Sequence, residues 1–68
     1  MPLSNREIEI LELVSQRLRD KEIAAKLFIS HQTVKKHLHN IYGKLNVSGR
    51  RKAAEKAETL GIIQPDKG

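Results

Sequence analysis

The sequence predicts an all-α domain in which four short helices, at about 5–16, 20–27, 31–44 and 49–60, form a bundle-like core containing a helix-turn-helix. Three observations predict it. Apolar residues recur at helical spacing in four separate stretches, each stretch begins near a residue able to cap a helix, and no run alternates apolar and polar residues as a half-buried strand would.

The first helix starts at Ser4 and Glu7, the S-x-x-E pattern of a capping box, in which each side chain accepts from a backbone N–H of the other residue. Leu3 and Ile8 are placed to form the accompanying hydrophobic staple. Ile8, Leu11 and Val14, widened by Ile10 and Leu13, make its apolar stripe, and its acidic face is expected to look outward. Arg17 to Arg19 then lead to a second helix with Asp20 as the expected cap, carrying Ile23, Ala24 and Leu27 on one face. Small Ala24 lies where another helix has to approach closely.

Only Phe28 and Ile29 separate this helix from the next, so the two must cross steeply, as in a helix-turn-helix. Ser30 is the expected cap of the third helix, and Leu38, Ile41 and Leu45 fall within about 40° of Val34 around its axis. Gln32, Lys36, His39 and Gly43 lie opposite, with Lys35 and Asn40 beside them. An edge of long donors and acceptors held out by an apolar edge suits base edges and phosphates. In the fourth helix Ser48 is the expected cap, Ala53, Ala57 and Leu60 share a face with Ala54 beside them, and Gly61 is the expected terminator, with Ile62 and Ile63 folding back. Residues 64–68 read as a disordered tail behind a single domain of 1–63.

Composition narrows the function. A chain of 68 residues has no room for a second domain enclosing a substrate pocket, and without cysteine neither disulfides nor thiolate zinc can staple it. No apolar run approaches the ~20 residues needed to span a bilayer, and no signal peptide is visible, so no membrane partner and a cytoplasmic location are expected. The net charge of +5 is uneven: residues 17–52 carry +8, against −2 before them and −1 after. Positive charge concentrated on a helix-turn-helix is the footprint of a polyanion-binding surface, double-stranded DNA above all.

Catalytic readings fail on spacing. His37 and His39 point about 200° apart on a helix, and His31 and His39 are separated by ~12 Å of rise, so no two histidines converge on one metal ion. Ser4, Ser30 and Ser48 are explained as caps. Gly43-Lys44 lacks the other residues of a phosphate-binding loop, and two aromatics do not make a stacking platform for single strands. No catalytic residue, metal or cofactor is expected.

LSNREIEILELV in the first helix, KEIAAKLFIS across the second helix and turn, TVKKH in the third, and KLNVSGR followed by Ala53 and Ala54 occur together in one order. On these motifs the chain resembles, over about residues 3–63, the LuxR/GerE-type helix-turn-helix DNA-binding domain of bacterial transcription regulators. Its wording is most similar to the large MalT-like ATP-dependent regulators of that family. The resemblance implies base contacts at Lys35, Lys36 and His39, to which the outward face adds Gln32, and phosphate contacts at Lys21, Ser30, Thr33, Lys44 and Arg50. It implies pairing of two copies on DNA through the fourth helix, where Ala53, Ala57 and Leu60 would let two helices approach. The chain departs from the family where Arg17 replaces a frequent Gly and Arg19 a frequent Ser or Thr.

Several residues keep a plainer reading beside the functional one. Lys35 and Lys36 also serve to keep an exposed helix in solution, Gln32 and His39 can meet phosphate or water alone, and His37, nearer the apolar edge, reads as structural and half-buried. Arg50 suits either a phosphate or an internal pair with a first-helix carboxylate such as Glu7. A module that acts with RNA polymerase, similar to sigma region 4, and a helical protein-interaction module are the alternatives to a sequence-specific DNA-binding output domain.

Overall fold

The computed structural model describes residues 3–64, and among these it holds four helices and no strand: α1 Asn5–Ser15, α2 Asp20–Leu27, α3 His31–Leu45 and α4 Arg50–Thr59. The expected tail beyond Gln64 lies outside the described residues. α1 and α4 pack against each other, α2 packs on α3, and α3 also touches α1 and α4. Ile10, Leu11 and Val14 of α1, Ile23 of α2, and Val34 and Ile41 of α3 are the largest side chains sealed in the core. Ala53 and Ala57 of α4 are fully buried beside them, and Ile63 folds back as expected.

The four helices start in four different ways. At α1 the capping box forms, with Ser4 N–H donating to Glu7 Oε1 at 2.8 Å and Glu7 N–H donating to Ser4 Oγ at 3.2 Å. At α3 the Ser30 hydroxyl accepts from Thr33 N–H at 3.1 Å. At α2 the expected cap is corrected: Asp20 is the first helical residue and Arg19 holds the extended cap position. A guanidinium has no acceptor, so only the reverse half of a capping box survives there, Arg19 N–H donating to Glu22 Oε1 at 2.7 Å. Ser48 is likewise not the cap of α4. The extended residue is Gly49, one position later, and no side chain bonds the first turn of that helix.

The helix ends obey one rule. Arg17 (φ 68°), Phe28 (φ 58°), Asn46 (φ 57°) and Gly61 (φ 75°) each follow a helix in the left-handed region. The next residue then reaches back to a carbonyl in the last turn: Leu18 to Leu13 (3.2 Å), Ile29 to Ala24 (3.0 Å), Val47 to Tyr42 (3.0 Å) and Ile62 to Ala57 (2.8 Å). Leu18, Ile29, Val47 and Ile62 are all apolar and pack against the core, so each bond that closes a helix also anchors the chain leaving it. Gly61 adopts this conformation without a side-chain penalty and Asn46 tolerates it, whereas Arg17 and Phe28 bear the clash between Cβ and carbonyl oxygen.

Candidate nucleic-acid interface

α3 divides as its spacing requires. Val34, Leu38, Ile41 and Leu45 are buried at 0%, 4%, 0% and 6% exposure, while Gln32, Lys35, Lys36, His39 and Asn40 are exposed and His37 is half-buried. The core therefore grips one edge of the helix along its whole length. The opposite edge presents amide, ammonium and imidazole groups with no carboxylate among them. His39, Asn40, Gly43 and Lys44 line a shallow groove toward its C-terminal end.

At the start of the helix, Ser30 Oγ lies 2.7 Å from Thr33 Oγ1 while accepting from Thr33 N–H. One hydroxyl must donate to the other, which leaves a single hydroxyl proton for an outside acceptor. Lys21, in the first turn of α2, is exposed. These three residues remain available for phosphate.

Lys44 and Arg50, the other two residues assigned to phosphate, are engaged inside the domain. Lys44 Nζ lies 2.8 Å from Glu7 Oε1, the carboxylate that also caps α1. Contrary to the expected outward acidic face of the first helix, Glu7 is 4% exposed. Burial alone would push its carboxyl up, but the Lys44 ammonium and the Ser4 N–H together hold it below its ordinary value. Arg50 does pair internally, though with a different partner from the one expected: Nη1 donates to Asp20 Oδ1 and Nη2 to the Leu18 carbonyl, both at 2.5 Å. Glu7 is already taken by Lys44.

Asp20, displaced from capping, becomes a junction. Its second oxygen lies 3.9 Å from His31 Nε2, so one carboxylate faces the starts of both α3 and α4. Half-buried Tyr42 lies within reach of the same charges; burial pushes its phenol up, Arg50 pulls it down and Asp20 adds to the rise. No single stretch of sequence carries this junction, because Asp20 and Arg50 are thirty positions apart.

The small face assigned to dimerisation is also corrected. Ala53 and Ala57 are fully buried inside the domain, where they let α4 approach its neighbours closely. They are thus closed to a second copy. Leu60, the third member, is 57% exposed, beside Val47, Lys52, Glu55, Lys56 and Thr59 along a groove. Among the described residues no group of three or more His, Cys, Asp or Glu side chains could hold a metal ion, and no helix is long and apolar enough to cross a membrane.

Comparison with known proteins agrees with this geometry. The family described as bacterial regulatory proteins, luxR family, matches residues 1–57. The chain is 43% identical over 63 residues to the transcriptional regulatory protein YxjL of Bacillus subtilis, covering 93% of this chain and 29% of that protein. It is 42% identical over 62 residues to the spore germination protein GerE of the same organism, covering 91% and 84%. With the regulator MalT of Vibrio cholerae it shares 37% over 59 residues, 87% of this chain and 6% of that protein. The chain therefore spans a small part of some relatives and most of GerE. A solved structure of GerE superposes with a TM-score of 0.89 at 39% identity, covering 94% of this chain and 96% of that one. The response regulator ChrA gives 0.90 at 49%, covering 93% and 31%. The chain belongs to the luxR family of bacterial regulatory proteins, as a helix-turn-helix DNA-binding domain of that family.

Proposed function

We propose that this domain binds double-stranded DNA sequence-specifically as the output module of a transcription regulator, with α3 entering the major groove N-terminal end first. The observation that carries this is the exposed edge of α3, where Gln32, Lys35, Lys36 and His39 stand clear of a fully packed opposite edge. In the groove, Lys35 and Lys36 donate to guanine O6 and N7 or to adjacent phosphates, and Gln32 and His39 read neighbouring base edges. Ser30, Thr33 and Lys21 fix the register by holding phosphates. Lys44 and Arg50 act one step back, by holding α3 and α4 in place through Glu7 and Asp20.

The domain works without catalysis or cofactor, on the bacterial nucleoid in the cytoplasm. Two copies pair on DNA through the outward face of α4 around Leu60, not through the buried alanines. Contact with RNA polymerase is a separate reading, which requires that the isolated chain fail to retain a duplex.

The experiment is a fluorescence-anisotropy titration of duplex DNA across salt concentrations. Affinity is expected to fall by at least about tenfold between about 50 and 200 mM salt, because phosphates neutralised by the +8 segment release counterions. A response flat in salt would remove the electrostatic basis of the reading.

A further inference from the structure

Phe28, between α2 and α3, puts an aromatic side chain at a position where the fold needs only a left-handed backbone. It is 95% exposed, and its backbone, at φ 58° and ψ 42°, is left-handed. A Cβ is disfavoured in that region and a phenyl ring gains nothing in water, so Gly or Asn would make this turn at lower cost. The turn uses only the backbone of Phe28, whose N–H donates to the Ala24 carbonyl. The following N–H, from Ile29, donates to the same carbonyl at 3.0 Å, and the Ile29 side chain makes the contact with the core. The ring therefore has no partner within the domain that would explain it. Backbone strain kept at an exposed aromatic is a reason to look for its use outside the fold.

Two observations say what covers it. Phe28 lies two residues before Ser30, whose hydroxyl is tied to Thr33 at the N-terminal end of α3. It also lies within residues 23–54, a stretch with no Asp or Glu. An apolar ring in a segment without carboxylates complements a chain that alternates anionic and apolar groups, as the phosphates and sugars of a DNA strand do. We propose that the Phe28 ring packs on a deoxyribose of the DNA backbone, next to the phosphate held by Ser30 and Thr33. The proposal rests on the DNA-binding reading above and adds to it an apolar contact that the charge pattern does not predict.

The contact makes stability and binding move in opposite directions. For a duplex recovered by selection from a random pool with the unaltered chain, Phe28→Asn is expected to weaken binding by about fivefold to tenfold. Its melting temperature should hold or rise by about 2–5 °C, because strain and exposed apolar surface are both relieved. The slope of log affinity against log salt should not change, since no charge is lost. Phe28→Tyr keeps the ring and should bind within about twofold of the unaltered chain. Unchanged binding by Phe28→Asn overturns the proposal, and so does a loss that tracks a lower melting temperature, since the ring would then serve the fold. Failure of the unaltered chain to retain any duplex overturns the DNA-binding reading itself.

Discussion

Lys44 Nζ sits 2.8 Å from Glu7 Oε1, so the last turn of α3 is bonded to the carboxylate that caps the first turn of α1. A single acid thus starts the scaffold helix and fixes where the recognition helix lies on it. Because Glu7 is buried and Lys44 is half-exposed, the two halves of the pair are not equivalent. Lys44→Met leaves a buried carboxylate without its cation, at a cost of about 1–3 kcal/mol at neutral pH.

The pair also sets an acid limb. The folded state holds the Glu7 carboxyl below its ordinary value. Its contribution is therefore complete above about pH 5 and is lost as the carboxyl is protonated below about pH 4. In Lys44→Met the main lowering influence is gone while burial remains, so this step in stability should flatten or reverse. Thermal melts between about pH 3 and 7 check this. Parallel acid limbs in the two proteins would show that Glu7 is not the group responsible.

Arg17 occupies a left-handed position at φ 68°, where glycine carries no penalty. Arg17→Gly should stabilise the domain by about 0.5–1 kcal/mol, raising the melting temperature by several degrees. Gly61, at φ 75°, has open space around a would-be Cβ, so its backbone angle alone decides the outcome. Gly61→Ala should cost about 1 kcal/mol.

Asp20 and Arg50 join α2 to α4 through a 2.5 Å bond that is partly buried. A double-mutant cycle of Asp20→Ala and Arg50→Ala should give a coupling of about 1 kcal/mol or more in thermal stability. Additive effects would mean that the pair does not hold the helices together.

Much of this was legible from residues in order. The spacing of Val34, Leu38 and Ile41 identified the buried edge of α3, and thereby the exposed one, because a helix that packs on one side has no other choice. Ser4 and Ser30 read correctly as caps because their partners lie three residues away. Asp20 and Ser48 did not, because in each case the extended residue is a neighbour, Arg19 or Gly49, that offers the first turn no side-chain acceptor. The long-range pairs had no local signal: Lys44, assigned to phosphate by the family resemblance, pairs instead with Glu7, which is far from it in sequence. A sequence rule could have shown the helix ends, since an apolar residue follows each left-handed position. The alanines of α4 were read as a surface because periodicity defines a face and not what covers it.

The central claim is that one edge of α3 holds the helix and the other reads DNA, and two substitutions on one helix test it most directly. Val34→Ala should cost about 2 kcal/mol of thermal stability. Lys36→Ala should leave the melting temperature nearly unchanged while weakening duplex binding by about fivefold or more and making it less sensitive to salt. Lys36→Ala binding duplex DNA as tightly as the unaltered chain, at the same stability, would contradict the assignment of that edge.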